Sequence, residues 1–159
     1  MSVRRLSVLL LAFSLPSAVS AAGQGVGFQA GATVDPEQFY VGSHLELPLG
    51  SNDFLIRPGI DGAFGNDLTI VSINAELLYR FELGNSGWAL YQGGGPGVSL
   101  VKFNDSVLGQ DETDVGGGFN YVFGFAHQEG FFTEFKTGGG SGAASLKFGV
   151  GFITRSGVS

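Results

Sequence analysis

Ser43, His44 and Glu46 place a hydroxyl, an imidazole and a carboxylate within four residues, the side-chain types of a serine hydrolase. Their spacing works against that chemistry. Successive side chains of an extended strand point to opposite faces, so Ser43 is turned away from His44 and Glu46. His127, beside Gln128 and Glu129, reads as an exposed turn residue, and His44 as a polar interior one. Asp105, Asp111, Glu112 and Asp114 gather in the longest predicted connection, and carboxylates suit Ca²⁺ or Mg²⁺. Their order matches no calcium-loop spacing, so they read as a solvated acidic loop. The runs Gly93-Gly94-Gly95 and Gly116-Gly117-Gly118 are not followed by a helix whose N-terminus would hold a phosphate. The residues therefore predict no catalytic site, no metal and no cofactor.

What remains is charge pairing. Arg57 and Asp61 lie four apart on one strand face, as do Glu76 and Arg80. His44, Glu46, Glu134, Lys136 and Lys147 occupy the same side of their strands. An unpaired buried charge is expensive, so these nine residues are expected to form a network if that side is interior.

The elements that would position them alternate with a period of two and show no long helical spacing. About eight such segments occur, each of about ten residues and closed by Gly, Asn, Asp or Ser. Val26, Phe28, Ala30, Ala32 and Val34 alternate with Gly27, Gln29, Gly31 and Thr33. Phe39, Val41, Leu45 and Leu47 oppose Tyr40, His44 and Glu46; Phe54, Ile56, Ile60 and Phe64 oppose Arg57 and Asp61. Val71, Ile73, Ala75, Leu77, Tyr79 and Phe81 oppose Ser72, Asn74, Glu76 and Arg80. A fifth segment runs from Trp88 to about Val101, with its phase open around residues 93–97. Val115, Phe119, Tyr121, Phe123 and Phe125 oppose Asp114 and Asn120; Phe131, Thr133 and Phe135 oppose Glu134 and Lys136. Leu146, Phe148, Val150 and Phe152 oppose Lys147.

Most connections are too short for a parallel crossover, so sequential strands pair antiparallel. The expected fold is all-β: a single up-and-down barrel of about eight strands, closed so that no edge is left exposed. Pro58 and Pro96 fall inside predicted strands, where proline cannot donate to the ladder, and are expected to mark bulges or strand ends.

Three features turn the apolar face outward. Charged residues make up only 14% of the chain, against roughly a quarter in soluble domains, too few to coat a water-facing barrel. Aromatic residues flank the even-numbered connections: Phe54, Phe81 and Trp88, Phe125 and Phe131, with Phe152 at the same level. Barrels carry such girdles where hydrocarbon meets water. With Phe28, Phe39, Tyr79, Tyr121 and Phe148 these rings are the expected lipid-facing or interfacial aromatics. Finally, an eight-stranded barrel is just wide enough inside for side chains to fill it, so the charges would form a salt-bridged plug rather than a pore.

The chain opens with Arg4 and Arg5, an apolar run from Leu6 to Leu15, Pro16, and small residues through Ala22. That order predicts a cleaved signal peptide over residues 1–22, and the run is too short to span a bilayer. About 137 residues remain (23–159), enough for one domain. Losing the two arginines takes the net charge from −6 to −8, which argues against nucleic-acid binding. Cysteine is absent, so neither disulfides nor a lipidated cysteine contribute. Glycine, at 28 residues, and phenylalanine, at 15, suit a strongly curved sheet in which rings cover the gaps glycine leaves.

In this strand-and-turn pattern the mature chain resembles the small bacterial outer-membrane β-barrels of the OmpA and OmpX type. Lys147, Gly149 and Phe152 partly match the final-strand signal of such barrels; Thr154 stands where a hydrophobic residue is usual, and Arg155 to Ser159 replace a terminal aromatic. The resemblance implies a monomeric, non-enzymatic protein of the outer membrane, inserted by the barrel assembly machinery, with lipid as its partner and a role in envelope structure or surface interaction. The alternative is a secreted, lipocalin-like soluble barrel binding a small apolar ligand, which would turn Phe28, Val41, Ile73 and Phe148 inward.

Overall fold

A computed structural model describes residues 23–50, 53–103, 113–141 and 146–156. The segment read as a signal peptide and most of the acidic connection (Asp105, Asp111 and Glu112) lie outside them. Eight strands follow one another: β1 (Gly25–Val34), β2 (Gln38–Leu49), β3 (Phe54–Phe64), β4 (Leu68–Glu82), β5 (Trp88–Phe103), β6 (Thr113–His127), β7 (Phe131–Gly140) and β8 (Leu146–Arg155). Each pairs antiparallel with its neighbour in sequence, and β1 pairs with β8 from Gly25↔Arg155 to Val34↔Leu146. The sheet is a closed barrel.

The period-two pattern dictates what faces in. Along β4, Ser72, Asn74, Glu76 and Leu78 are buried while Val71, Ile73, Ala75 and Leu77 are exposed. β5 keeps one phase through its glycine run: Tyr91, Gly95, Ser99 and Val101 are buried, and Pro96, Val98 and Leu100 are exposed. Asp114, the described member of the acidic cluster, is exposed near the start of β6.

The two prolines behave differently from the expectation of bulges or strand ends. Strands β2 and β3 pair down to His44↔Gly59 and resume at Leu47↔Ile56 in unchanged register. β4 and β5 likewise pair up to Asn74↔Gly97 and resume at Leu77↔Gly94. The missing pairings are those that need an amide proton on Pro58 or Pro96. Their other neighbours hold both strands in place, through Pro58↔Ala75 and Pro96↔Phe119. A closed wall absorbs one lost hydrogen bond without shifting register.

Two glycines face inward where the lumen has no room for a side chain. A Cβ on Gly27 would run into the His44 imidazole, and one on Gly124 would meet the Tyr91 ring. Large interior groups thus sit opposite bare backbone.

Candidate functional site: the charged interior

The closing of β1 onto β8 brings charges from distant strands into one lumen. At its centre the Arg57 guanidinium donates from Nε and Nη2 to Glu76 Oε2, at 2.9 and 2.8 Å, and from Nη1 to Glu134 Oε2 at 2.8 Å. Lys136 Nζ lies 2.7 Å from Glu76 Oε1 and 3.9 Å from Glu134 Oε1. The Tyr91 hydroxyl donates to Glu134 Oε2 at 2.9 Å, and its ring lies under Arg57, 5.5 Å from centroid to Cζ. Arg57 and Glu134 are each 1% exposed. Two cations thus face two carboxylates, a balance that a low-dielectric interior demands.

A second group lies nearer the end carrying the β1–β2 and β3–β4 turns. Lys147 Nζ is 2.7 Å from Asp61 Oδ1, Asn74 donates to Asp61 Oδ2 at 3.0 Å, and Asn120 donates to Asn74 at 2.6 Å. At the opposite end Arg155 donates to Glu46 from Nε and Nη2 at 3.2 and 3.1 Å. Each group is electrically balanced.

Nine residues were expected in this network. Arg57, Asp61, Glu46, Glu76, Glu134, Lys136 and Lys147 are buried and ion-paired as described. His44 is buried but joins no ion pair among the described residues; its ring meets Phe132 edge-on at 5.4 Å. Arg80 stands apart at the rim, half-buried, 3.3 Å from the exposed Glu82. The charges four apart on one strand do not pair: they are about 13 Å apart at 3.3 Å per residue, so Arg57 reaches across to Glu76 instead of Asp61. Sequence reasoning left out Arg155, read as tail, and Tyr91, in the segment whose phase was open around residues 93–97. Position 155 follows Lys147, Gly149, Gly151 and Ile153 on one face, a parity that would have found it.

Apolar side chains cap the charges at both ends. Leu55, Leu78, Tyr91, Val122, Ala126, Phe132 and Ile153 pack together on the side of the β2–β3, β4–β5 and β6–β7 turns. Tyr40, Ala63, Ile70 and Val101 do so towards the other end. Voids beside the network, one lined by Ser72, Asn74, Asn120 and Lys147 and one by His44, Arg57, Asp61 and Glu76, measure about 10 Å³ each. That is about one water molecule. The arrangement stores charge and fills space; Ser43 faces away from His44, and among the described residues no three His, Cys, Asp or Glu side chains converge to hold a metal.

The outer wall has the opposite chemistry. Phe28, Val41, Ile73 and Phe148 all point outward, with Phe28 and Ile73 each 61% exposed. This is the reverse of a soluble ligand-binding barrel. Of the expected surface aromatics, Phe28, Phe39, Phe81, Trp88, Tyr121, Phe131, Phe148 and Phe152 are exposed, and Tyr79 and Phe125 are half-buried. Several stack edge to face: Phe54 on Tyr79 at 4.8 Å, Tyr79 on Phe81 at 4.4 Å, Phe131 on Phe152 at 5.2 Å.

The Tyr91 hydroxyl satisfies one oxygen of a carboxylate that Arg57 also holds. Tyr91→Phe is expected to lower barrel stability by about 1.5–3 kcal/mol, as for a hydrogen bond to a charged group. Denaturant unfolding in vesicles measures it, and an unchanged midpoint would contradict this geometry.

No family model matches this sequence, and no curated protein matches it. Solved structures do. The chain is similar to neisserial surface protein A, NspA, with a TM-score of 0.66 and 11% identity over 86% of this chain and 98% of that one. It is also similar to the N-terminal β-barrel domain of Pseudomonas aeruginosa OprF, with a TM-score of 0.59 and 16% identity over 82% of this chain and 97% of that one. Closure, strand order, inward charges and these likenesses together give the chain the fold of the small eight-stranded outer-membrane barrels.

Proposed function

We propose that this protein is a monomeric, non-enzymatic outer-membrane β-barrel that contributes to envelope structure or surface interaction. One observation carries the reading: the polarity of the barrel is inverted. Arg57, Glu76, Glu134 and Lys136 are sealed inside, while Ile73, Phe28, Val98 and Phe119 are each more than half exposed. Water offers no reason to expose that surface. Hydrocarbon does, since lipid-facing and lumen-facing residues alternate along the strands of a membrane barrel.

Lipid is then the partner of the outer wall, and export through a cleaved signal peptide followed by the barrel assembly machinery is the route there. The β2–β3, β4–β5 and β6–β7 turns face the periplasm, and the β1–β2 and β3–β4 turns face outside. The similarity to NspA, by name a surface protein, favours a role at the cell surface. With its lumen filled, the barrel acts through its outer end rather than as a pore.

Membrane fractionation combined with an unboiled gel tests this. The protein is expected in the outer-membrane fraction, with a mobility that changes on boiling. Recovery in the soluble fraction, without that shift, overturns the reading.

A further inference from the structure

The outer wall carries a groove whose chemistry differs from the rest of the belt. It lies between β3, β4, β5 and β6, is lined chiefly by Phe54, Leu77, Tyr79, Gln92, Gly93 and Tyr121, and is a shallow, open depression of about 340 Å³. Leu77 and Tyr121 stand on either side of Gly94 across the two ladders, and the Phe119 ring closes over that glycine.

Gln92 stands in the groove on the outward face. Its cross-strand neighbours are Tyr79 and Phe123, themselves paired with Phe54 and Phe135. An amide thus interrupts a row of aromatic rings on a hydrocarbon-facing surface. The Tyr121 hydroxyl reaches across and donates to Gln92 Oε1 at 2.9 Å. The amide is oriented by a second side chain, and its NH₂ group is a donor for an oxygen of a ligand. The groove lies close to the β4–β5 turn, since Gln92 is four residues from Trp88, where β5 begins.

The geometry points to a binding site for one phospholipid of the periplasmic leaflet, with an acyl chain along Leu77 and Tyr121 and an ester carbonyl accepting from Gln92. The polarity of the lining favours this occupant. No charged side chain lines the groove, so its contacts are with the uncharged ester and acyl region of a lipid, and the headgroup phosphate stays outside it. The level suits it as well, because Phe54, Tyr79, Phe81 and Trp88 gather at that end of the wall and aromatic girdles mark the interface. This inference rests on the membrane reading above.

The test purifies the barrel from membranes, loads it with 1-palmitoyl-2-oleoyl phosphatidylethanolamine in mixed micelles, and counts retained lipid by native mass spectrometry. The native chain is expected to hold one phospholipid. Gln92→Leu removes the donor, and Leu77→Trp fills the groove; each is expected to reduce retention by about tenfold, the effect of one lost hydrogen bond or of steric exclusion. Both changes are on the apolar face, so the boiling-dependent gel shift is expected to persist. Equal retention by all three proteins overturns the site. So does retention of lipopolysaccharide in place of the phospholipid, or a dimer that Leu77→Trp abolishes. If the native chain itself shows no gel shift and enters no membrane, the membrane reading has failed rather than the groove assignment.

Discussion

Arg57→Ala is expected to destabilise the folded barrel by about 3–5 kcal/mol, the largest single effect in the molecule. The guanidinium holds two carboxylates, Glu76 and Glu134, both buried with it. Removing it leaves two negative charges opposed by Lys136 alone. The attraction was strong because water was excluded, and the same exclusion makes the leftover charge costly. The second half of a double-mutant cycle separates this from lost packing. In Arg57→Ala combined with Glu134→Gln, Glu76 keeps Lys136 at 2.7 Å and no carboxylate is stranded. The double variant is expected to be more stable than Arg57→Ala, with a coupling of about 0.5–3 kcal/mol. Trp88, the sole tryptophan, reports unfolding by fluorescence in vesicles. A penalty below about 1 kcal/mol for Arg57→Ala would show that these groups reach water in the folded protein.

Ile73→Arg is the converse experiment. Ile73 lies near the middle of β4, points outward and is 61% exposed. On a surface facing water, such a change would shift stability by no more than about 0.5 kcal/mol. On a surface facing the bilayer midplane it is expected to cost about 2–4 kcal/mol, because the guanidinium must be held in or drawn out of hydrocarbon. Asp67→Arg, in the exposed β3–β4 turn, supplies the comparison and is expected to be near neutral. Equal effects at the two positions would remove the basis for placing this wall in lipid. The pair of variants reads depth, which burial alone does not distinguish from exposure to water.

The sequence by itself determined the strands and what each one faces. A pleated backbone sends successive side chains to opposite sides, so the alternation of Ile73 with Asn74 and of Phe135 with Lys136 already separated wall from lumen. Short connections forced antiparallel neighbours, and the scarcity of charge indicated which face turned outward. Tertiary structure decided who pairs with whom. Arg57 and Glu134 are 77 positions apart and meet only because the sheet closes across the lumen. Axial level was likewise invisible: Arg80 shares parity with Glu76 but lies at the rim with Glu82, whereas Arg155 enters the lumen to reach Glu46. The apolar caps follow the same rule, since Leu78 and Phe132 share the inward face with Glu76 and Glu134 but lie beyond the charges. Pro58 and Pro96 also needed the whole wall, because register in a closed barrel is held by both neighbours of a strand and survives the loss of one bond. Local chemistry sets the direction of a side chain; its depth and its partner belong to the closed sheet.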